Sequence, residues 1–176
     1  MTTLEIEIAL MEHFNVRQNS IVPNISWGIA NLHECDILVL SKSNYATEVE
    51  IKISKSGLLK DKEKKHGHNH NHIARLYFAV PKNLKEIALQ EIPERSGLLV
   101  IEKGKTSYLG SEGFYEVEKY FVEEVKKPIR NKNAVKWSVK EANHLNRLGT
   151  MRLLGLKKKL LKIFLKNNNF NNPTNK

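Results

Sequence analysis

The sequence predicts a mixed α/β domain with a basic helical extension, and three observations carry that prediction. Apolar periodicity switches between about 2 and 3.6 residues in the order helix, three strands, helix, strand, helix, strands. That order lacks the regular alternation of an all-parallel fold. Of 176 residues, 40% are hydrophobic, enough for one sizeable core. The C-terminal third departs from the rest in charge and reads as a long helix after a polar linker. The expected organisation is a core over 1–125, a linker over 126–137, a helical extension over 138–166 and a disordered tail over 167–176.

Residues 3–14 read as a helix capped by Thr3, with Leu4, Ile8 and Met11 at helical spacing. SIVPNISW, 20–27, is β-branched and carries one proline, which suits an edge strand. HECDILVL, 33–40, and ATEVEIKIS, 46–54, form a hairpin across SKSNY. A charged helix follows from about Ser56 to His66, then the polar loop GHNHNH. RLYFAVP, 75–81, is a short strand, and NLKEIALQEI a helix ending near Pro93. Strands are expected at 97–102 and 105–109 with a turn at Glu102–Lys105, and a short helix near 114–125. Gly149 and Gly155 are expected to divide the final helix.

Charge is unevenly spread. Residues 126–176 hold 14 Lys and Arg against the single acid Glu141, whereas residues 1–125 hold 15 basic and 18 acidic residues. Such asymmetry points to a polyanion as partner, nucleic acid first. No stretch approaches the roughly 18 apolar residues of a membrane span. The acidic N-terminus, MTTLEIEIALMEHF, is not read as a signal peptide. One cysteine, Cys35, falls within a strand, which fits a small buried apolar residue and a reducing, cytoplasmic setting.

The residues that bear chemistry lie in ECDILVLSKSNYATEVEIK, 34–52. Strand side chains two apart share a face, so Glu48, Glu50 and Lys52 stand together, and Asp36 stands beside Leu38 and Leu40 on the preceding strand. If the strands pair, the Asp36 and Glu50 carboxylates converge, a suitable pair for a hard divalent cation that keeps several waters. Lys52 on the same face can orient a water or stabilise charge on a phosphate. The plain alternative is an edge strand whose wet face carries cross-strand ion pairs.

Asp36 followed by Glu50-Ile51-Lys52 on neighbouring strands resembles the PD-(D/E)XK nuclease superfamily. The likeness covers roughly residues 3–102, and Cys35 stands where the motif has proline. The run VPNISWG…HECDILVL…EVEIKISKS is also similar to uncharacterised phage and bacterial proteins placed there, some described as DNA-repair nucleases. The resemblance implies a restriction-endonuclease-like αβββαβ core with a mixed sheet and hydrolysis of DNA phosphodiesters. The implied cofactor is Mg²⁺ or Mn²⁺, held by Asp36 and Glu50, with Lys52 catalytic. It also implies an acid from the first helix, for which Glu5 is preferred over Glu12. A non-cleaving nucleic-acid-binding or structural module of the same fold is the alternative.

Around this centre, Glu48 is a neighbour on the same face. Lys55, Lys62 and Lys65 on the following helix are placed to meet phosphates. His66, His68, His70 and His72 read as polar loop residues, with zinc binding or a phosphate contact as alternatives. In the last helix, Lys157, Lys158, Lys159 and Lys162 are expected to grip DNA, while Leu145, Leu148, Leu153, Leu156, Leu160, Leu161 and Phe164 dock on the body or in a homodimer. Membrane-surface binding ranks below these, and no membrane partner is expected.

Overall fold

The computed structural model describes residues 1–26, 29–30, 32–61, 70–111 and 113–170. The chain opens with α1 (Thr3–His13), then β1 (Ser20–Ile25), β2 (Cys35–Leu40), β3 (Ala46–Ile51), α2 (Lys55–Asp61) and β4 (Ile73–Pro81). A single 3₁₀ turn at Lys82–Leu84 leads into α3 (Lys85–Glu91), β5 (Gly97–Gly110), β6 (Gly113–Lys126) and α4 (Val139–Phe170). The six strands form one sheet in sequence order. β1, β2 and β3 are an antiparallel meander, and β3–β4 and β4–β5 are parallel. The β5–β6 hairpin is antiparallel. The sheet is therefore mixed, with α2 and α3 as the crossovers that parallel neighbours require.

Alternation sorts the side chains into two layers. On one face α1 sets Ile6, Ala9 and Leu10 against Ile37, Val49, Ile51, Ala79 and Leu99. On the other, Trp137 and Leu145 pack with Leu38, Leu40, Ala46 and Ile73. Further along that face, Leu58 of α2 and Ala88 of α3 cover Leu76, Phe78 and Val100.

Local structure departs from expectation in four places. Thr2, not Thr3, caps α1: its Oγ1 accepts from the Glu5 N–H at 3.3 Å, and the Glu5 carboxylate accepts from the Thr2 N–H at 2.6 Å. Gly97–Gly110 is one continuous strand through Gly104, where a turn was expected. Residues 114–125, expected as a helix, lie in β6, because their aromatic and β-branched residues pair along the whole of β5. The final helix also runs unbroken through Gly149 and Gly155. At Gly149 a Cβ would come within 3.2 Å of Val22 Cγ2, so glycine here lets α4 approach β1 closely.

The segment 127–137 is fastened along the body rather than hanging as a linker. The Ile129 N–H donates to the Arg95 carbonyl, Asn131 to Ala74, Val135 to Asn71 and Trp137 to Asn44. The indole of Trp137 is 2% exposed, and its Nε1–H donates to the His72 carbonyl at 2.9 Å. α4 is helical to Phe170, past the expected end, and residues 171–176 lie outside the described residues.

Candidate functional site

Asp36 stands where β2 and β3 part. Their registered pairing ends at Ile37–Val49. The next N–H directed toward β2, that of Ile51, donates to Asp36 Oδ2 at 2.7 Å. A side chain thus replaces a ladder bond and opens a fork. Asp36 and Glu50 stand one step past the last pair, on facing strands. Both lie on strands in the sheet interior, where acids are rare without partners.

The β3 face that carries Glu48 and Glu50 is dry. Glu48 is fully buried and Glu50 is 2% exposed. Each acid meets a cation or a histidine. Lys52 Nζ lies 2.7 Å from Glu50 Oε2 and 2.7 Å from Asp61 Oδ1, and 5.9 Å from the centre of the Phe78 ring. Glu48 Oε1 lies 2.8 Å from His33 Nε2, and both side chains are buried. The edge-strand reading, in which these acids are exposed, does not describe this face: β3 lies inside the sheet.

Glu5 and Glu7 of α1 take different partners. Glu5 serves the Thr2 cap and accepts from the Tyr120 hydroxyl of β6 at 2.5 Å; those bonds, Tyr120 first, hold its pKa down at about 2. Its carboxylate is thus engaged by the Thr2 cap and by Tyr120, and Glu12 is exposed. Glu7 is half-buried and accepts from Asn24 Nδ2 at 3.3 Å. Burial raises its pKa, the Asn24 bond lowers it, and the negative charge of Asp36 raises it further.

Asp61 and His33 also escaped the sequence reading. A partial signal existed for Asp61, which lies three residues after buried Leu58 and so shares its helix face. His33 had none, since its partner is fixed only by how the chain enters β2. On the far side, His70 and His72 stack with ring centres 5.2 Å apart. Burial and the charges of His72 and His33 depress the His70 pKa, with Glu48 opposing. His72 Nε2 lies 3.0 Å from Glu141 Oε1, which ties the loop to α4. Lys62, Lys65, His66 and His68 lie outside the described residues. Lys55 is exposed at the start of α2. Lys157, Lys158, Lys159 and Lys162 are exposed on the outer half of α4.

No family model matches the chain. No curated protein matches it either. Among solved structures, it is similar to the SPO1766 protein of unknown function from Silicibacter pomeroyi, with a TM-score of 0.58 and 16% identity over 91% of each chain. At that identity the likeness shows the fold alone.

The chemistry of the donors suits a hard cation. The donors at the fork are oxygens: Asp36 accepts from the Ile51 N–H, and Glu50 with Asp61 meets Lys52. Among the described residues, no group of three or more His, Cys, Asp or Glu is arranged as a ready cage. Mg²⁺ needs no such cage, because one or two carboxylates, waters and substrate phosphate oxygens complete its shell. Asp36 and Glu50 fit that open kind of site. Among the described residues, no helix is long and apolar enough to cross a membrane.

Proposed function

We propose that the chain is a Mg²⁺- or Mn²⁺-dependent nuclease that hydrolyses DNA phosphodiesters in a cytoplasmic setting, on a restriction-endonuclease-like core. The observation that carries this reading is the β2–β3 fork. There each strand carries an acid, Asp36 and Glu50, and half-buried Lys52, two residues past Glu50, meets the Glu50 carboxylate. The element order α1, three antiparallel strands, α2 and a parallel β4 supports it.

In this reading Asp36 and Glu50 would hold the ion, which would supply activation of the attacking water and offset charge on the scissile phosphate. Lys52 leaves its ion pairs far enough to orient the attacking water or to meet the developing charge. Asp61 acts as a positioning residue by holding the Lys52 ammonium at 2.7 Å. Lys55, at the entrance to α2, contacts phosphate without reading sequence.

A second reading has one observation in its favour. Lys52 is already matched by two buried carboxylates, which a non-cleaving scaffold also needs. Incubation with linear, circular, single-stranded and branched DNA, with Mg²⁺ or Mn²⁺ and an EDTA control, separates the two. The nuclease reading expects EDTA-sensitive cleavage that Asp36→Asn and Glu50→Gln abolish. Absence of cutting on every substrate, or full activity in EDTA, overturns it.

A further inference from the structure

We propose that the outer half of α4 is a docking surface for an anionic lipid bilayer, lying in the plane of the headgroups. This inference stands apart from the nuclease reading. The inner half is committed to the body through Leu145 and the close approach at Gly149. From Thr150 to Asn167 every side chain is exposed. Leu153, Leu156, Leu160, Leu161, Ile163 and Phe164 are each 53–62% exposed. At about 100° per residue these six fall within an arc of roughly 160°.

The opposite arc is cationic. Lys158, Lys159, Lys162 and Lys166 occupy about 100° of it, with Met151 among them and Leu154 and Leu165 toward its margin, while Arg152 donates to the Asn24 carbonyl at 2.6 Å. Lys157 projects from within the apolar arc, with a stem long enough to snorkel. No acid occurs after Glu141. Sequence alone favours docking on the body or in a dimer, but the exposure of the arc and the charge at its margins reverse that order.

Three occupants can be compared. A DNA duplex takes the cations and leaves six large apolar side chains in water. A second copy covers the apolar arc but brings Lys157 and the marginal cations against their own kind, with no acid to offset them. A bilayer interface takes both arcs at once, the apolar one sunk to the acyl boundary and the lysines at anionic headgroups. Thr150–Phe170 spans about 30 Å. No described helix is apolar enough to cross, so the helix lies flat.

The test uses the full chain and large unilamellar vesicles of phosphatidylcholine with or without about 30 mol% phosphatidylserine. Co-sedimentation should show partitioning onto the anionic vesicles roughly tenfold stronger than onto neutral ones, weakening with salt. Leu156→Glu/Leu160→Glu should cut it by roughly tenfold or more. Lys158→Glu/Lys162→Glu should also weaken it. Neither pair touches the body, so the thermal transition should not move. Leu160→Trp should show a blue-shifted emission on the anionic vesicles. Absence of partitioning overturns the proposal. In that case, a dimer that Leu156→Glu/Leu160→Glu dissociates assigns the arc to a second copy. Duplex binding that Lys158→Glu/Lys162→Glu abolishes assigns the helix to nucleic acid.

Discussion

Replacing Lys52 with methionine tests the buried ion network directly. The Lys52 side chain is 11% exposed, and its partners Glu50 and Asp61 are 2% and 5% exposed. Methionine keeps most of the apolar stem against Phe78 and removes only the charge. Two carboxylates then share a dry site without the ammonium that both meet. Removing one partner of a buried ion pair costs about 3–5 kcal/mol, because a charge is left uncompensated. Surface screening offers little relief at these exposures. For a chain of this length that cost lowers Tm by roughly 10 °C. Urea unfolding followed by circular dichroism should show a lower midpoint with an unchanged m-value. Lys52→Met/Glu50→Gln should recover part of the loss, since one of the repelling charges is gone. A Lys52→Met chain within about 1 kcal/mol of the parent would refute the reasoning, because surface ion pairs contribute no more than that.

His33→Leu should destabilise by about 1–3 kcal/mol by leaving Glu48 buried without its 2.8 Å partner, and paired replacement with Glu48→Leu should recover most of it; chemical denaturation of the three variants checks this. Trp137→Ala should cost about 3–5 kcal/mol, since it empties a buried site and drops the bond to the His72 carbonyl, which thermal unfolding would register. Tyr120→Phe removes the first cause of the depressed Glu5 pKa. A carboxylate whose folded pKa is lowered from 4.5 to about 2 stabilises above pH 4.5 and loses that contribution as pH falls toward 2. The Tyr120→Phe chain should therefore differ from the parent at neutral pH and converge with it near pH 2, and a difference constant across that range would exclude this origin.

Elements defined by their own residues could be read from the sequence. The β2–β3 hairpin follows from two alternating runs about a polar turn, and the interrupted edge strand follows from Pro23. β6 could not be read in this way. FYEVEKYFVEEV places apolar residues at spacings that suit a helix or a strand, and the long pairing with β5 decides between them. Tertiary context overrides local pattern most readily in such ambiguous stretches. The two glycines of α4 do not break it: Gly149 sits where a Cβ would crowd Val22, and at Gly155 a Cβ would meet open space.

The same division runs through the candidate site. Asp36 on β2, Glu50 on β3 and Lys52 just past its end lie within one hairpin, so period-2 alternation alone assigns them to one face. Each helical contributor depends on which flank of its helix meets which strand, and the sequence does not encode that separately from the whole packing. Glu5 and Glu7 flank the same buried stripe of Ile6, Ala9 and Leu10 on opposite sides. One flank faces Tyr120 of β6 and the other faces Asn24 of β1. Only the sheet order, with β1 and β6 at opposite edges, assigns Glu7 to Asn24 and Glu5 to Tyr120. Asp61 follows the same logic, because its carboxylate reaches Lys52 only once the α2 crossover has laid Leu58 against Phe78. Short-range alternation thus supplies the centre of the site, and the parallel crossover supplies Asp61 beside it.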